Sequence, residues 1–473
     1  MGLEGNLFIN NFNNFMKHIV KKHYFGTDGV RGLANRHPMT PEFALKMGKA
    51  AGKHFSKLKK RSRIVIGKDT RLSGYILETA LTSGICSMGC DVLLVGPMPT
   101  PAISFLTRSL EADAGIVISA SHNPFLDNGI KFFGPSGEKL PDRDELGIEE
   151  IIHGPDQAGP TGAGIGKAFR IGDAAQRYSR FVVDSAGPGF DLEGVRLVLD
   201  CANGASYEVA PSILRELGAK VSLIGCSPDG LNINAGCGST HPEGMAQETL
   251  RFSAQAGIAL DGDGDRVIMA DEKGNLLDGD DILFLCATEL KERGQLDGNN
   301  VVGTIMTNVG LEAGLEEKGI GLLRAPVGDR FVVAKMLENN SVLGGEPSGH
   351  IIFRDHSLTG DGLVTALRVL KIMGGSGSPL SSLVKGWSRF PQVMRNLSVS
   401  EKIPLEGEWL EALTREARSE LGESHLLSLR YSGTESFLRV TVSAASEMAM
   451  VRVCDRICAV LFEKFGWKVR ENG

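Results

Sequence analysis

The chain has 473 residues and a formal net charge of −6 at neutral pH. That length exceeds what one hydrophobic core usually supports and predicts several domains of ordinary size. The 42% of hydrophobic residues and the 60 glycines are typical of a globular protein with many tight turns, and the negative charge disfavours a general role in binding nucleic acid or a membrane surface.

The eight cysteines are scattered and form no Cys-x-x-Cys pair. Cys454 and Cys458 lie one helical turn apart in an apolar pattern, so buried reduced thiols are favoured over a disulfide or a metal site. A reducing cytoplasm fits this pattern. No run of eighteen apolar residues is present, so we expect no membrane-spanning segment.

An N-terminal extension, residues 1–23, precedes the first regular pattern. Phe8, Phe12, Phe15 and Ile19 are spaced by three or four residues, which predicts an amphipathic helix. We hypothesise that Met16 is the natural start.

Strand and helix patterns then alternate. Thr40 with Pro41 predicts the beginning of a helix. The predicted strands are 63–67, 91–96 and 114–118, and the predicted helices run from Thr40 to Phe55 and over 74–88. Such alternation predicts a doubly wound α/β domain with a parallel or mixed sheet.

A short polar loop, Ser119–Pro124, follows the apolar strand at 114–118. Ser121 is a candidate nucleophile, with His122 as an acid–base partner and Lys131 as a charge-stabilising group. The sequence between them, Asp127-Asn128-Gly129, predicts a tight turn. A loop that merely turns the chain is the alternative interpretation.

The stretch Tyr24–Gly32 contains three glycines and one arginine, Arg31. Glycines allow a backbone to approach a ligand closely, and a guanidinium can bind an oxyanion. A solvated hairpin is the alternative.

A second alternating unit ends in Asp261, Asp263 and Asp265, directly after an apolar strand at 257–260. Carboxylates at alternate positions can surround one hard cation, and magnesium is the preferred ion because phosphate or water can complete its coordination. An EF-hand loop is disfavoured, because its sixth position is Arg266 instead of glycine and a strand precedes it. An ordinary acidic turn remains the alternative.

A third unit contains the glycine-rich loop Glu346–His350. Glu346 and Ser348 can form hydrogen bonds to sugar hydroxyls, and His350 is a candidate for acid–base catalysis. The last unit differs, because two strands and two helices predict an α+β lobe. Its donors suit a phosphate monoester; they are Arg430, Ser432, Gly433, Thr434 and Arg439.

Together the loops offer a nucleophile, a cation site, a polyol-binding group and a phosphate-binding group, which favours phosphoryl transfer on a phosphosugar. The segment Phe390–Asn396 is the candidate hinge of a mobile lid. The predicted domains span 24–184 (nucleophile), 185–279 (metal), 280–391 (sugar) and 397–473 (phosphate).

The chain resembles the α-D-phosphohexomutase superfamily from about Tyr24 to its C-terminus. The motifs that carry the resemblance are Phe25–Gly32, Ser119–Pro124 with Asp127–Lys131, Asn232–Asn234 with Cys237–Glu243, Asp261–Arg266, Gly345–His350 with Thr359–Gly362, and Arg430–Glu435. The resemblance implies three similar doubly wound α/β domains with mixed sheets and a C-terminal α+β lobe around a central cleft.

The resemblance also implies roles. Ser121 would carry the phosphoryl group and bind Mg²⁺ together with Asp261, Asp263 and Asp265. Arg31, His122, Lys131 and His350 would assist catalysis. The implied sugar-binding residues are Gly328, Asp329, Arg330, Glu346 and Ser348, and the implied phosphate-binding residues are Arg430, Ser432, Gly433, Thr434 and Arg439.

Within the superfamily, the resemblance is strongest to bacterial members that act on glucosamine phosphate through a sugar 1,6-bisphosphate and supply cell-wall precursors. A cytoplasmic enzyme, with a phosphosugar as its substrate and a homodimer as its assembly, is expected. Pro347 departs from the family pattern and removes a backbone N–H donor beside the implied sugar-binding residues. The alternatives are a phosphomannomutase/phosphoglucomutase, a metal-dependent phosphatase and a non-catalytic phosphosugar sensor.

Overall fold

The computed structural model describes residues 7–9, 22–26, 28–56, 61–156, 158–422, 425–431 and 436–470. Its two compact units are Lys22–Thr304 with Ala325–Lys385, and Met1–Lys21 with Ile305–Arg324 and Gly386–Gly473. Strand β1 covers Leu7–Ile9, so the predicted N-terminal helix does not include Phe8. Phe12, Phe15, Met16 and Ile19 lie outside the described residues.

The first α/β domain has a six-stranded mixed sheet. Its elements are β2 (Val30–Leu33), α1 (Pro41–Phe55), β3 (Arg63–Lys68), α2 (Leu72–Ser87), β4 (Asp91–Pro97), α3 (Thr100–Ser109), β5 (Ala114–Ile118), β6 (Asp127–Phe133), α4 (Asp142–His153), β7 (Ala168–Arg170) and α5 (Ala174–Ala186). The strand order is β2-β6-β5-β3-β4-β7. Strands β3, β4, β5 and β7 run parallel, whereas β6 pairs antiparallel with β5 and β2.

Helix α1 begins as predicted. The Thr40 side chain accepts a hydrogen bond from the Phe43 N–H at 3.3 Å, and Pro41 occupies the first turn, where its missing N–H is not needed. Helices α1 and α2 approach so closely that a Cβ at Gly84 of α2 would lie 2.3 Å from the Leu45 carbonyl oxygen of α1. Only glycine fits there.

The predicted turn at Asp127-Asn128-Gly129 is wrong. These residues begin strand β6, where Asp127 pairs with Leu33 and Gly129 pairs with Arg31 of β2. A turn-forming composition is overridden because β2, which is distant in sequence, supplies the ladder hydrogen bonds.

The second domain has the strand order β12-β11-β10-β8-β9. Its elements are β8 (Arg196–Asp200), α6 (Val209–Glu216), β9 (Lys220–Ile224), α7 (Glu243–Arg251), β10 (Ala256–Leu260), β11 (Val267–Ala270) and β12 (Leu276–Leu277). Strand β10 is fully buried, runs parallel to β8 and turns back antiparallel into β11. The tight return between β10 and β11 carries the three aspartates.

The next elements are α8 (Gly279–Glu292), β13 (Asn300–Thr304), α9 (Val309–Glu317), β14 (Gly321–Ala325), α10 (Asp329–Glu338), β15 (Leu343–Gly345), β16 (Ile351–Phe353), α11 (Gly362–Ser376) and α12 (Leu380–Leu383). Strand β13 pairs parallel with β15, and β15 pairs antiparallel with β16, so the third sheet is also mixed. Helix α9 and residues 321–324 belong to the second compact unit.

The second unit also contains a sheet with the order β1-β18-β19-β17-β20. Its remaining elements are β17 (Gln392–Ser398), α13 (Glu408–Leu421), β18 (His425–Tyr431), β19 (Phe437–Ala444), α14 (Glu447–Phe465) and β20 (Lys468–Val469). Cys454 and Cys458 are buried free thiols, as predicted. No helix in the described part of the chain is long and apolar enough to cross a membrane.

The prediction of a hinge at Phe390–Asn396 is wrong for most of that segment. Residues Gln392–Ser398 form β17, which pairs with β19 along its whole length, from Gln392 opposite Ser443 to Ser398 opposite Phe437. A strand held by a continuous ladder does not absorb a large backbone rotation.

Candidate active site

Ser121 lies three residues beyond the buried strand β5 and is itself buried. Its Oγ donates a hydrogen bond to Asp261 Oδ2 at 2.7 Å and lies 3.3 Å from His122 Nδ1. Its φ of 52° falls in the left-handed region, which non-glycine residues adopt only when the surrounding structure enforces it. Such strain is concentrated at functional sites.

Several groups enforce this conformation. The Ser121 N–H donates to Ser119 Oγ at 3.0 Å, and the Ser121 carbonyl oxygen accepts hydrogen bonds from Arg71 Nη2 and Asn234 Nδ2, each at 2.9 Å. A Cβ at Gly262 would lie 2.6 Å from that carbonyl oxygen. The loop is therefore fixed from both the first and the second domain.

Asp261, Asp263 and Asp265 form the acidic cluster of the site. Each is buried, and each offers one carboxylate oxygen within 4.8 Å of the other two. Burial raises the pKa of Asp261 well above its usual value, and the two neighbouring carboxylates raise it further. Among the described residues, nothing donates a hydrogen bond to the buried Oδ1 atoms of Asp263 and Asp265. Hard oxygen donors with unused acceptor capacity fit a divalent cation such as Mg²⁺.

Lys131 extends from β6 into the acidic cluster. Its Nζ lies 2.9 Å from Asp263 Oδ2, 3.1 Å from Asp28 Oδ2 and 3.9 Å from Asp265 Oδ2. Burial by itself lowers the pKa of Lys131, but these carboxylates outweigh burial and raise it. Lys131 is therefore a buried cation that contacts the acidic cluster.

His122 and Arg31 lie on the same side of the first domain. Burial lowers the pKa of His122 to about 4, and the nearby guanidiniums of Arg266 and Arg31 also lower it. His122 is therefore neutral at pH 7 and can accept a hydrogen bond at Nδ1. Arg31 is bound through Nη2 by the Asp28 carboxylate.

The predicted sugar-binding residues Glu346 and Ser348 are brought together. Glu346 Oε1 accepts a hydrogen bond from the Gly328 N–H at 2.9 Å, and Ser348 Oγ donates to Glu346 Oε2 at 3.3 Å. The loop before α10 and the loop after β15 thus form one polar surface, although 18 residues separate Gly328 from Glu346.

His350 connects this surface to the acidic cluster. Its Nδ1 lies 3.7 Å from Asp265 Oδ1, and its Nε2 lies 3.8 Å from Asp329 Oδ2. Burial by itself lowers the pKa of His350, but the surrounding carboxylates outweigh burial and raise it to about 9. Arg330, in contrast, points to α4, where its Nη1 lies 2.7 Å from Asp142 Oδ1.

Two of the predicted phosphate-binding residues, Arg430 and Arg439, lie in the second compact unit. Arg430 on β18 lies opposite Arg439 on β19. Burial lowers the pKa of Arg430, and the second guanidinium lowers it further. Two adjacent cations of this kind suit an anionic ligand. Ser432, Gly433 and Thr434 lie outside the described residues.

The sequence analysis did not assign roles to four residues that hold the site together: Asp28, Arg71, Lys139 and Asn234. Asp28 and Asn234 lie in motifs that carried the resemblance, so a signal was present. Arg71 and Lys139 have no local signal, because the loop carbonyls that Arg71 binds and the carboxylates that Lys139 binds are far away in sequence. Thr100 is similar, since its Oγ1 donates to Asp263 Oδ2 at 2.7 Å across 163 residues.

The arrangement can perform phosphoryl transfer. A serine hydroxyl lies against three carboxylates that fit a divalent cation, a buried ammonium group can stabilise negative charge on a transferring phosphoryl group, and a polar surface with a histidine can bind a sugar.

Three sequence profiles match the chain. They are described as phosphoglucomutase/phosphomannomutase alpha/beta/alpha domain I, domain II and domain III, and they match residues 22–159, 180–274 and 278–390.

Similar proteins match over nearly the whole chain. The phosphoglucosamine mutase of Gluconacetobacter diazotrophicus is 51% identical over 93% of this chain and 98% of its own length, and that of Syntrophotalea carbinolica is 49% identical over 96% and 100%. The structure of a phosphoglucomutase/phosphomannomutase family protein from Burkholderia thailandensis superposes with a TM-score of 0.76 at 25% identity, covering 94% of this chain and 98% of that one. The Aspergillus fumigatus N-acetylphosphoglucosamine mutase, solved with GlcNAc-6P and magnesium, shares the fold with a TM-score of 0.61 at 17% identity, covering 92% and 96% of the two chains.

Proposed function

The chain belongs to the phosphoglucomutase/phosphomannomutase family, and from this premise we propose that it interconverts glucosamine 6-phosphate and glucosamine 1-phosphate. The predicted superfamily is thereby confirmed, and so is the enzyme class, an isomerase that moves a phosphoryl group within one sugar. The proposed substrate is supported by about 50% identity to phosphoglucosamine mutases over nearly the full chain.

One observation carries the proposed chemistry: the Ser121 hydroxyl lies 2.7 Å from Asp261 within a buried cluster of three aspartates. In the forward direction, phosphorylated Ser121 gives its phosphoryl group to the O1 hydroxyl of the sugar. The products are a sugar 1,6-bisphosphate and the free Ser121 hydroxyl. After the sugar turns around, Ser121 Oγ attacks the 6-phosphate, which leaves glucosamine 1-phosphate and restores phosphorylated Ser121.

A bound Mg²⁺ would be held by Asp261, Asp263, Asp265 and the Ser121 side chain, and would neutralise charge on the transferring phosphoryl group. Lys131 adds a fixed positive charge 2.9 Å from Asp263. His122 Nδ1, 3.3 Å from Ser121 Oγ, can accept the hydroxyl proton when Ser121 attacks. Arg31 supports charge stabilisation on the same side.

We propose that the sugar binds at the surface formed by Gly328, Asp329, Glu346 and Ser348, next to Arg330, whose guanidinium faces Asp142 of α4. Ser348 and Glu346 form a hydroxyl–carboxylate pair that can exchange its internal hydrogen bond for bonds to two sugar hydroxyls. His350 would donate or accept the proton of the reacting sugar oxygen. Arg430 and Arg439, with the loop Ser432–Thr434, are proposed to bind the phosphate that is not reacting.

We further propose a cytoplasmic location, where the eight free cysteines stay reduced, and a homodimer that light scattering would test. The product would supply cell-wall amino-sugar precursors.

Phosphorus NMR with Mg²⁺, a trace of sugar 1,6-bisphosphate and glucosamine 6-phosphate tests the function. We expect glucosamine 1-phosphate to form faster than the corresponding products from glucose or mannose 6-phosphate, without release of inorganic phosphate. Faster conversion of the other sugars would favour a phosphomannomutase/phosphoglucomutase. Release of inorganic phosphate alone would indicate a phosphatase.

Ser121→Ala is the matched control for the nucleophile. We expect loss of turnover with retained binding of glucosamine 6-phosphate in calorimetry. Unchanged turnover would contradict the assignment of Ser121.

A further inference from the structure

Charged groups of alternating sign form a closed ring in the active site. The ring runs through Lys131, Asp28, Lys139, Asp329, His350 and Asp265 and closes from Asp265 back to Lys131, while Asp263 contacts Lys131 as a branch. Most members were already assigned to the cation site, the acid–base groups or the sugar surface. Asp28 and Lys139 were not, yet they form the link between Lys131 and the sugar surface.

Asp28 is the hub of three cations. Its carboxylate lies 3.1 Å from Lys131 Nζ and 2.5 Å from Lys139 Nζ, and it also binds the Arg31 guanidinium. Burial by itself would raise the pKa of Asp28, but the three cations lower it well below its usual value, so the carboxylate remains charged.

Lys139 joins this hub to the third domain. Its Nζ donates to Asp28 Oδ1 at 2.5 Å and to Asp329 Oδ1 at 2.7 Å, across 190 residues of sequence. Asp329 begins α10 directly after Gly328, whose N–H binds the Glu346 carboxylate. The same ammonium group therefore contacts the hub and the sugar-binding loop.

The backbone makes this link rigid. Lys131 lies on β6, and both new residues are anchored to that strand. Asp28 precedes β2, in which Val30 pairs with Ile130, and Lys139 forms a bridge with Phe133 at the other end of β6. A Cβ at Gly29 would lie 2.3 Å from the Ile130 carbonyl oxygen, so the turn that carries Asp28 packs tightly on the strand.

We propose that Asp28 and Lys139 are positioning residues of the mutase reaction: Asp28 orients Lys131 and Arg31 toward the transferring phosphoryl group, and Lys139 ties this pair to the sugar-binding loop. The inference rests on the proposed function and deepens it. Lysine has a long flexible side chain with considerable rotamer entropy, and the three carboxylates near the Lys131 ammonium group, those of Asp28, Asp263 and Asp265, restrict it to one place.

Removal of the hub charge leaves three cations facing one another without a common partner. In Asp28→Asn, Lys131 retains Asp263 and Asp265 and therefore moves toward them, away from the position between Asp28 and the cluster. A displacement of about 1 Å at a catalytic group lowers the rate by about 100-fold. We expect kcat to fall about 100-fold, with KM for glucosamine 6-phosphate changed less than threefold.

Loss of Lys139 has a different signature. Lys139→Met leaves Asp329, at the start of α10, without its ammonium partner and with His350 Nε2 at 3.8 Å, so we expect KM to rise about tenfold, together with a smaller fall in kcat. Asp28→Glu retains the charge on a longer stem, and we expect it to restore at least a tenth of the wild-type kcat. A purely structural role would not produce this division between kcat and KM.

Asp144→Asn is the matched control. Asp144 lies on α4 of the same domain, pairs with His54 Nε2 at 3.1 Å, and has a side-chain exposure of 26%, close to the 25% of Asp28. We expect wild-type kcat and KM from this variant. Thermal unfolding of all variants shows whether each is folded, and Lys139→Met provides a second readout if Asp28→Asn is not.

A second measurement does not depend on turnover. In a ¹H–¹⁵N spectrum of lysine ammonium groups, assigned with Lys131→Arg, the wild-type Lys131 signal should be sharp because carboxylates protect it from exchange with water. Asp28→Asn should broaden or remove this signal, whereas Asp144→Asn should not.

The outcomes separate the two proposals. If wild-type protein fails to convert glucosamine 6-phosphate, the proposed function is wrong, and the ammonium spectrum still decides whether Asp28 positions Lys131. If wild-type protein is active and Asp28→Asn and Lys139→Met both keep kcat and KM within threefold, or if the Lys131 signal is unchanged in Asp28→Asn, the inference is overturned.

Discussion

Arg71 offers the most direct test of how the Ser121 loop is held. Its side chain is completely buried, and its guanidinium faces five acceptors. Nε donates to Asp69 Oδ2 at 2.8 Å, and the Nη atoms contact four carbonyl oxygens of the loop, those of Ser121 (2.9 Å), Asn123 (2.7 Å), Pro124 and Asp127 (3.1 Å). We predict that Arg71→Lys destabilises the protein and slows turnover.

The expected magnitude follows from these contacts. Lysine keeps the charge near Asp69 but has three donors on one atom, which cannot reach acceptors spread around a planar guanidinium. The carbonyls of Ser121 and Asn123 also accept hydrogen bonds from Asn234, at 2.9 and 3.0 Å, so they keep a partner. The Pro124 carbonyl likewise keeps a hydrogen bond from the Asp127 N–H at 3.1 Å. The bonds from the guanidinium to these three carbonyls and to that of Asp127 are lost, and at about 0.5–1 kcal/mol for each, the free energy of unfolding should fall by about 2–4 kcal/mol.

Activity should fall with stability, because the positive φ of Ser121 depends on the same contacts. A relaxed loop moves Oγ away from Asp261, and we expect kcat to fall about 10- to 100-fold at a temperature where the variant is folded. Urea unfolding measures the first effect, and conversion of glucosamine 6-phosphate measures the second.

Arg61→Lys is the control for replacing a guanidinium by an ammonium. Arg61 is 48% exposed and pairs with Asp91 at the surface, so this variant should stay within about 0.5 kcal/mol of the wild type. If Arg71→Lys matches Arg61→Lys in both stability and turnover, the loop does not depend on the guanidinium and the reasoning is refuted.

Three further predictions concern close packing, protonation and the metal. Gly262→Ala should lower kcat at least tenfold, because its Cβ would lie 2.6 Å from the Ser121 carbonyl oxygen. Gly244→Ala is the control: Gly244 has open space around it in helix α7, so this variant should keep the wild-type kcat and add up to about 1 kcal/mol to the free energy of unfolding. Burial and the nearby Arg368 lower the pKa of His356 to about 4, below the value of about 6.5 expected in the unfolded chain. The contribution of neutral His356 to stability is therefore present above pH 6.5 and is lost as the pH falls toward 4. His356→Gln should therefore reduce the loss of stability between pH 7 and pH 4.5 by about 1–2 kcal/mol after allowing for solvent screening, and equal losses in urea titrations of both proteins would contradict this. Removal of divalent cations by EDTA should abolish turnover, and added Mg²⁺ should restore it; activity that survives exhaustive chelation would exclude a metal role for the Asp261–Asp265 cluster.

The sequence by itself was sufficient to predict strands and helices and to identify the reactive side chains. Contiguous apolar runs such as Ala114–Ile118 and 257–260 became buried strands, and Thr40 with Pro41 began a helix, because these signals depend on neighbours within a few residues. Ser121 and the three aspartates were also found locally, since each set directly follows such a strand.

Only the tertiary structure decided how these groups are joined. Asp127-Asn128-Gly129 became a strand because β2 pairs with it, and residues 392–396 became a strand instead of a hinge because β19 pairs with them. Asp28 gained its role from Lys131 and Lys139, more than 100 residues away. A hydrogen bond or ion pair depends on distance in space, which a local pattern does not encode, so the sequence identifies the reactive groups and the fold determines which carboxylate orients which cation.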